Sequence, residues 1–159
     1  DRWHNRSNYA WWGLVPTKSA LPGAGKELSF YTNERYYYEG KGTKIRRYTY
    51  RLDGFVSAHA PFGGGRVLTK PFTFVGTRLL LNVSTSAAGS VRVEVEDAKG
   101  RPIDGLRLAD CQEIYGDEIE RVVEWEGGRD VGDLQGRAIR LLFVLEDADV
   151  YAFRFAGDS

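Results

Sequence analysis

Little in this chain of 159 residues is suited to redox or transition-metal chemistry. Cys111 is its only cysteine, which excludes an intrachain disulfide. The Leu-Ala-Asp before it and the Gln-Glu-Ile after it bring no His or cation to stabilise a thiolate, so Cys111 reads as small apolar filling. His4 and His59 stand far apart and have no metal-ligand spacing with Cys111. No apolar run reaches the ~18 residues that a membrane-spanning helix needs. No charged start followed by an apolar stretch marks a signal peptide. The chain starts at Asp1 and contains no Met, so it reads as a mature or excised piece. Helical periodicity is almost absent.

Net charge is zero. Residues 1–52 carry ten Lys/Arg against four Asp/Glu, and the remainder carries twelve against eighteen. The basic half, with Arg46 and Arg47 beside Tyr48 and Tyr50, invites a comparison with single-strand nucleic-acid surfaces. Alternation puts only every second one of these residues on one face, and the overall charge is neutral. The expectation is therefore no nucleic acid and no membrane, with the two halves compensating each other.

Period-two alternation dominates from residue 43 onward. Val91, Val93 and Val95 alternate with Arg92, Glu94 and Glu96, which predicts a half-buried strand with a solvated charged face. Ile119, Arg121, Val123 and Trp125 share a face in another strand. Residues 138–145 are apolar on both sides, as a central strand requires. Tyr151, Phe153 and Phe155 fall together on one face of the last strand. A short helical turn is expected over 108–113. Glycines from Gly63 to Gly136 punctuate the chain every eight to twelve residues or so, the rhythm of a sandwich or jelly roll. The predicted fold is an all-β, jelly-roll-like β-sandwich over residues 53–159. An aromatic-rich hairpin segment precedes it over 1–52, where ELSFYT and TKIRRYTY form a hairpin with a long connection.

The stretch RLDGFVSAHAPFGGGRVLTKPFTF, residues 51–74, reads as two short strands around a Gly-rich turn. Together with LLLNVSTSAAGSVRVEVEDAKGRPIDG, GDEIERVVEW and RLLFVLEDADVYAFRF, it resembles the C-terminal segment of bacterial proteins related to the β-propeller glycosidases of families 32 and 43. The resemblance covers residues 51–155. It implies an accessory β-sandwich following the last propeller blade, a secreted or periplasmic setting, and a carbohydrate-active parent. The family's catalytic acids lie in early blades, so none passes to a residue of this chain.

Aromatic rings flanked by polar groups suit sugars, whose C–H faces stack while their hydroxyls need hydrogen bonds. Tyr9, Trp11 and Trp12 form one such group. Tyr36, Tyr37 and Tyr38 beside Glu34, Arg35 and Glu39 form another. The candidate ligand-binding residues are Trp11, Trp12, Tyr36, Tyr38, Arg35 and Glu39. In an extended chain Trp11 and Trp12 point opposite ways, so only one of them faces a ligand. The competing reading packs these rings against the sandwich, a propeller or a second copy. The carboxylate pairs Glu94/Glu96 and Glu118/Glu120 have the spacing of a glycosidase pair, yet their setting predicts solvated strand faces. Asp147 and Asp149, with Glu146, are candidates for a structural Ca²⁺, against a plain polar turn. The functional expectation is a non-catalytic module that binds a poly- or oligosaccharide by stacking; the alternative is a purely structural interface domain.

Overall fold

A computed structural model describes residues 9–22, 24–34 and 43–157. The fold is all-β, of the β-sandwich class, with two antiparallel sheets and no α-helix among the described residues. The chain divides into two compact units, Asp1–Phe55 and Val56–Ser159.

The first unit holds a four-stranded sheet. Its centre is β3 (Lys26–Glu34), flanked on one side by β1 (Tyr9–Ala10) and β2 (Val15–Lys18) and on the other by β4 (Lys44–Arg51). β3 and β4 form the expected hairpin, with Phe30 opposite Tyr48 and Asn33 opposite Ile45. The side chains buried at its centre are polar: Ser29, Thr32 and Glu34. No apolar side chain is buried among the described residues of this unit.

The second unit holds β5 (Ala58–Ala60), β6 (Gly65–Leu68), β7 (Arg78–Asp97), β8 (Asp117–Val122) and β9 (Ile139–Ala156). β9 is central, between β7 and the β5–β6 edge. β5 and β6 do not pair with each other. Both run antiparallel along the same edge of β9, as one edge strand interrupted at residues 61–64. β7 and β9 are interrupted at the same level: residues 86–89 of β7 face Asp147 alone. Asp147 takes a left-handed φ of 43° there, and Gly89 lies so close that a Cβ would stand 2.3 Å from the Asp147 carbonyl oxygen. A second register shift leaves Tyr151 as an extra residue. It corrects the expected common face of the last strand: Phe153 and Phe155 keep it, and Val150 joins them in place of Tyr151, because Leu79, Leu81 and Val83 pair with Phe155, Phe153 and Val150.

The core lies on the inner face of β7 and β9. Leu79, Leu81, Val83, Val91, Val93 and Val95 meet Ile139, Leu141, Phe143 and Leu145. Residues 98–138 fold over these strands and contribute Leu106, Ile114, Trp125 and Leu134. Trp125 is 2% exposed, and its indole N–H donates to the Val93 carbonyl at 3.1 Å. The same segment overturns the expectation of a solvated Glu94/Glu96 face. Both are buried, and the 101–106 chain runs alongside β7 next to them, with the Val95 N–H on the Leu106 carbonyl and the Ile103 N–H on the Val95 carbonyl. The Leu108 N–H donates to Glu94 at 3.0 Å, Glu96 forms an isolated bridge with Pro102, and the Arg140 guanidinium stands 3.8 Å from Glu96. The helical turn expected over 108–113 reduces to one turn closed by the Cys111 N–H on the Arg107 carbonyl. Short 3₁₀ turns occur instead at Glu126–Gly128 and Gly132–Leu134.

Candidate functional site

Strand alternation gives the first sheet two distinct faces. Residues 27, 29, 31 and 33 of β3 point to one, and register fixes their neighbours. Tyr9, Asn33 and Ile45 lie in a row across β1, β3 and β4, and Tyr31 pairs with Arg47 in the next row. Just past β1 the chain keeps one more ladder bond, from the Trp11 N–H to the Tyr31 carbonyl at 2.8 Å. The Trp11 ring settles on the same face. Its indole N–H donates to Asn33 Oδ1 at 3.0 Å and its centroid lies 6.4 Å from that of Tyr31. Trp11 remains 48% exposed and Trp12 is fully exposed. Gly13, at φ 94°, then turns the chain back toward β2.

Around these rings the surface is polar. Arg47 reaches over two strands, donating to Ser29 Oγ at 2.7 Å and Thr17 Oγ1 at 2.9 Å, and it pairs with Glu27. This network ties β2, β3 and β4 together. Tyr9 and Ile45, both more than half exposed, extend the platform. A planar ligand bearing apolar C–H faces and hydroxyls matches this combination of rings and donors.

Of the candidates from the sequence, Trp11 lies on this surface and Trp12, next to it in the chain, is fully exposed. Arg35, Tyr36, Tyr38 and Glu39 lie outside the described residues. Sequence reasoning missed Asn33, Tyr31, Ile45 and Arg47. Their β3 members do alternate in the sequence, but which β4 and β1 residues join them depends on register, which alternation leaves open.

The opposite face of the same sheet carries a ladder of rings. Phe30 stacks on Tyr48 and Tyr50 at centroid distances of 5.1 and 5.5 Å, and Tyr50 meets Phe55 at 5.8 Å. Glu34 accepts from Tyr48 Oη at 3.1 Å and pairs with Arg46 at 2.5 Å. Its hydrogen bond and charge hold the Arg46 guanidinium above its ordinary pKa.

The calcium candidates are not gathered into an ion site. Among the described residues no group of three or more His, Cys, Asp or Glu side chains could hold a metal. Asp149 turns instead to Ser57, whose hydroxyl donates to it at 2.6 Å, and to His59 Nδ1 at 3.2 Å. Both partners use the same carboxylate oxygen, so these three residues do not form a nucleophile–base relay. Burial pushes the Cys111 thiol up, and its sulfur accepts the Val93 N–H at 3.2 Å. That environment suits packing rather than nucleophilic chemistry.

Two surface cavities of the second unit are of similar size. One, of about 490 Å³, is mostly apolar and lies along β9 beside Val56, Val67 and Phe153. The other, of about 550 Å³, is polar and opens beside the Gly63–Gly65 turn. Comparison with protein-family models, with curated proteins and with solved structures returns no match to this chain.

Proposed function

We propose that this chain is a non-catalytic carbohydrate-binding module of a larger carbohydrate-active protein. The platform of the first sheet carries the binding, and Trp12 and Trp11 are its stacking rings. The observation that carries this reading is the exposure of two consecutive indoles, Trp11 at 48% and Trp12 fully, beside the polar Asn33 and Arg47. A Trp side chain offers 150–250 Å². Covering about 100 Å² of it with a sugar face contributes about 2 kcal/mol, or roughly 30-fold in affinity. Trp11 is pre-positioned by Asn33, which lowers the ordering cost of its contact. Asn33 keeps one amide group for a hydroxyl, since only its Oδ1 is engaged by the indole. The resemblance of residues 51–155 to accessory sandwiches of glycosidases supports the same reading.

A second reading rests on a different observation. The first sheet buries no apolar side chain among its described residues, and the Phe30–Tyr48–Tyr50–Phe55 ladder leaves Tyr50 and Phe55 about half exposed. On this reading the unit is an interface that braces a propeller or joins a second copy. Two measurements separate the readings. The first is binding to an array of plant, algal and microbial polysaccharides, with Trp11→Ala and Trp12→Ala variants alongside. The second is mass in solution by light scattering. Glycan binding that is lost in Trp12→Ala while the circular dichroism spectrum is kept supports the module. A folded dimer silent across the array sinks it in favour of the interface.

A further inference from the structure

The polar cavity of the second unit brings together residues from three strands and one turn. Register places Arg66 of β6, Val144 of β9 and Arg92 of β7 side by side in one row. On the same face, the adjacent row pairs Glu146 with Ser90. With strands ~4.8 Å apart and ~6.7 Å between alternate residues, these positions span roughly 10 by 7 Å. Arg92 is closed by Glu113 at 2.7 Å. The side chains of Arg66, Ser90 and Glu146, by contrast, form no hydrogen bond or ion pair among the described residues. Phe62, 66% exposed, lines the same cavity from the interruption between β5 and β6. The three glycines after it leave that wall without side chains, and a Cβ on Gly63 would meet open space.

A ring face, an unpaired guanidinium donor, an unpaired carboxylate acceptor and a hydroxyl thus converge on one cleft of about 550 Å³. Its charged residues, Arg66, Arg92, Glu113 and Glu146, sum to zero, which favours neither an anion nor a cation. Vicinal hydroxyls both donate and accept, so they satisfy an Arg and a Glu at once, while the C–H face of the same ring covers Phe62. We propose that this cleft is a second carbohydrate site, separate from the Trp11–Trp12 platform, which takes one residue or a chain end of a neutral oligosaccharide. The inference rests on the carbohydrate reading of the chain and deepens it.

The test is amide NMR of the ¹⁵N-labelled full chain, titrated to ~50 mM with neutral cello-, xylo-, manno- and fructo-oligosaccharides, a range matched to millimolar dissociation constants. At least one of them is expected to shift the amides of residues 62–66 and 90–92. Phe62→Ala and Arg66→Ala should each weaken that response by about tenfold, whereas the Trp11→Ala/Trp12→Ala double variant should leave it unchanged. Glu146→Gln, which keeps the shape and removes the charge, provides a further check on folded protein. Shifts around Trp11 and Trp12 alone would overturn the cleft and leave the platform standing. Shifts at neither place would overturn both. Tighter binding of a uronic-acid oligosaccharide than of its neutral counterpart would overturn the neutral assignment.

Discussion

Replacing Gly89 with alanine tests the interruption shared by β7 and β9. The new Cβ would stand 2.3 Å from the Asp147 carbonyl oxygen, 2.7 Å from that of Glu146 and 3.0 Å from the Asp147 carbonyl carbon. All three are backbone atoms, so no side chain can rotate away, and relief requires the two strands to part locally. Overpacking of this kind costs about 1–3 kcal/mol. The ladder bonds on either side, at Thr85–Ala148 and Ser90–Glu146, would loosen at about 1 kcal/mol each. Lower unfolded-state entropy returns about 0.4–1 kcal/mol. The net loss is about 2–4.5 kcal/mol, which for a chain of this size lowers Tm by roughly 5–15 °C. Gly63→Ala is the matched control, because its Cβ meets nothing within 4 Å; it should change stability by no more than about 1 kcal/mol, in the stabilising direction. Urea unfolding followed by far-ultraviolet circular dichroism gives both values. Equal midpoints for the two variants would refute the close approach of β7 to Asp147.

Trp125→Phe removes a donor to the Val93 carbonyl and part of a buried ring, and should cost about 2–3 kcal/mol in the same unfolding assay. Asp97 accepts the N–H groups of Arg101 and Lys99 and the Arg101 guanidinium. The Arg101 N–H is the largest influence that lowers its carboxyl to about 2. A folded-state pKa below the unfolded one means that this turn contributes stability above about pH 4, and that the contribution is lost as pH falls through about 2. Carboxyl-detected NMR titration should place Asp97 near 2, and Asp97→Asn should flatten the stability profile in that window. A titration at the ordinary Asp value would contradict the hydrogen-bonded turn.

The second unit was the more legible half in the sequence. Val91, Val93 and Val95 announce an inner face by alternation alone, and the run from Ile139 to Leu145, apolar except for Arg140, announces a central strand. Alternation reports that two faces differ, however, and not what covers the polar one. Glu94 and Glu96 look solvated because the Leu108 N–H and Arg140 that accompany them are distant in sequence. At the first unit, the indoles of Trp11 and Trp12 are conspicuous as residue types. Their platform depends on which β4 residue faces Asn33, a matter of register with no local signature. The cleft residues Phe62, Arg66, Ser90 and Glu146 come from strands whose proximity is a long-range property of the sheet. No window of the sequence contains all four.

The interruptions in β9 also bear on how an eighteen-residue strand finds its partner. In an evenly alternating strand, a slide by two residues keeps every apolar side chain on its proper face, so alternation cannot forbid that error. Here the inward positions run Ile139 to Leu145, skip to Ala148 and Val150, and skip again to Phe153 and Phe155. β7 has a matching gap only at 86–89, and β5–β6 only at 61–64. A slide of two would bring the left-handed Asp147 against a paired residue of β7 and carry Gly89 away from the one place where its missing side chain is needed. The three strands therefore fit together like a key with unequal teeth, and the irregularities of the sheet admit a single alignment.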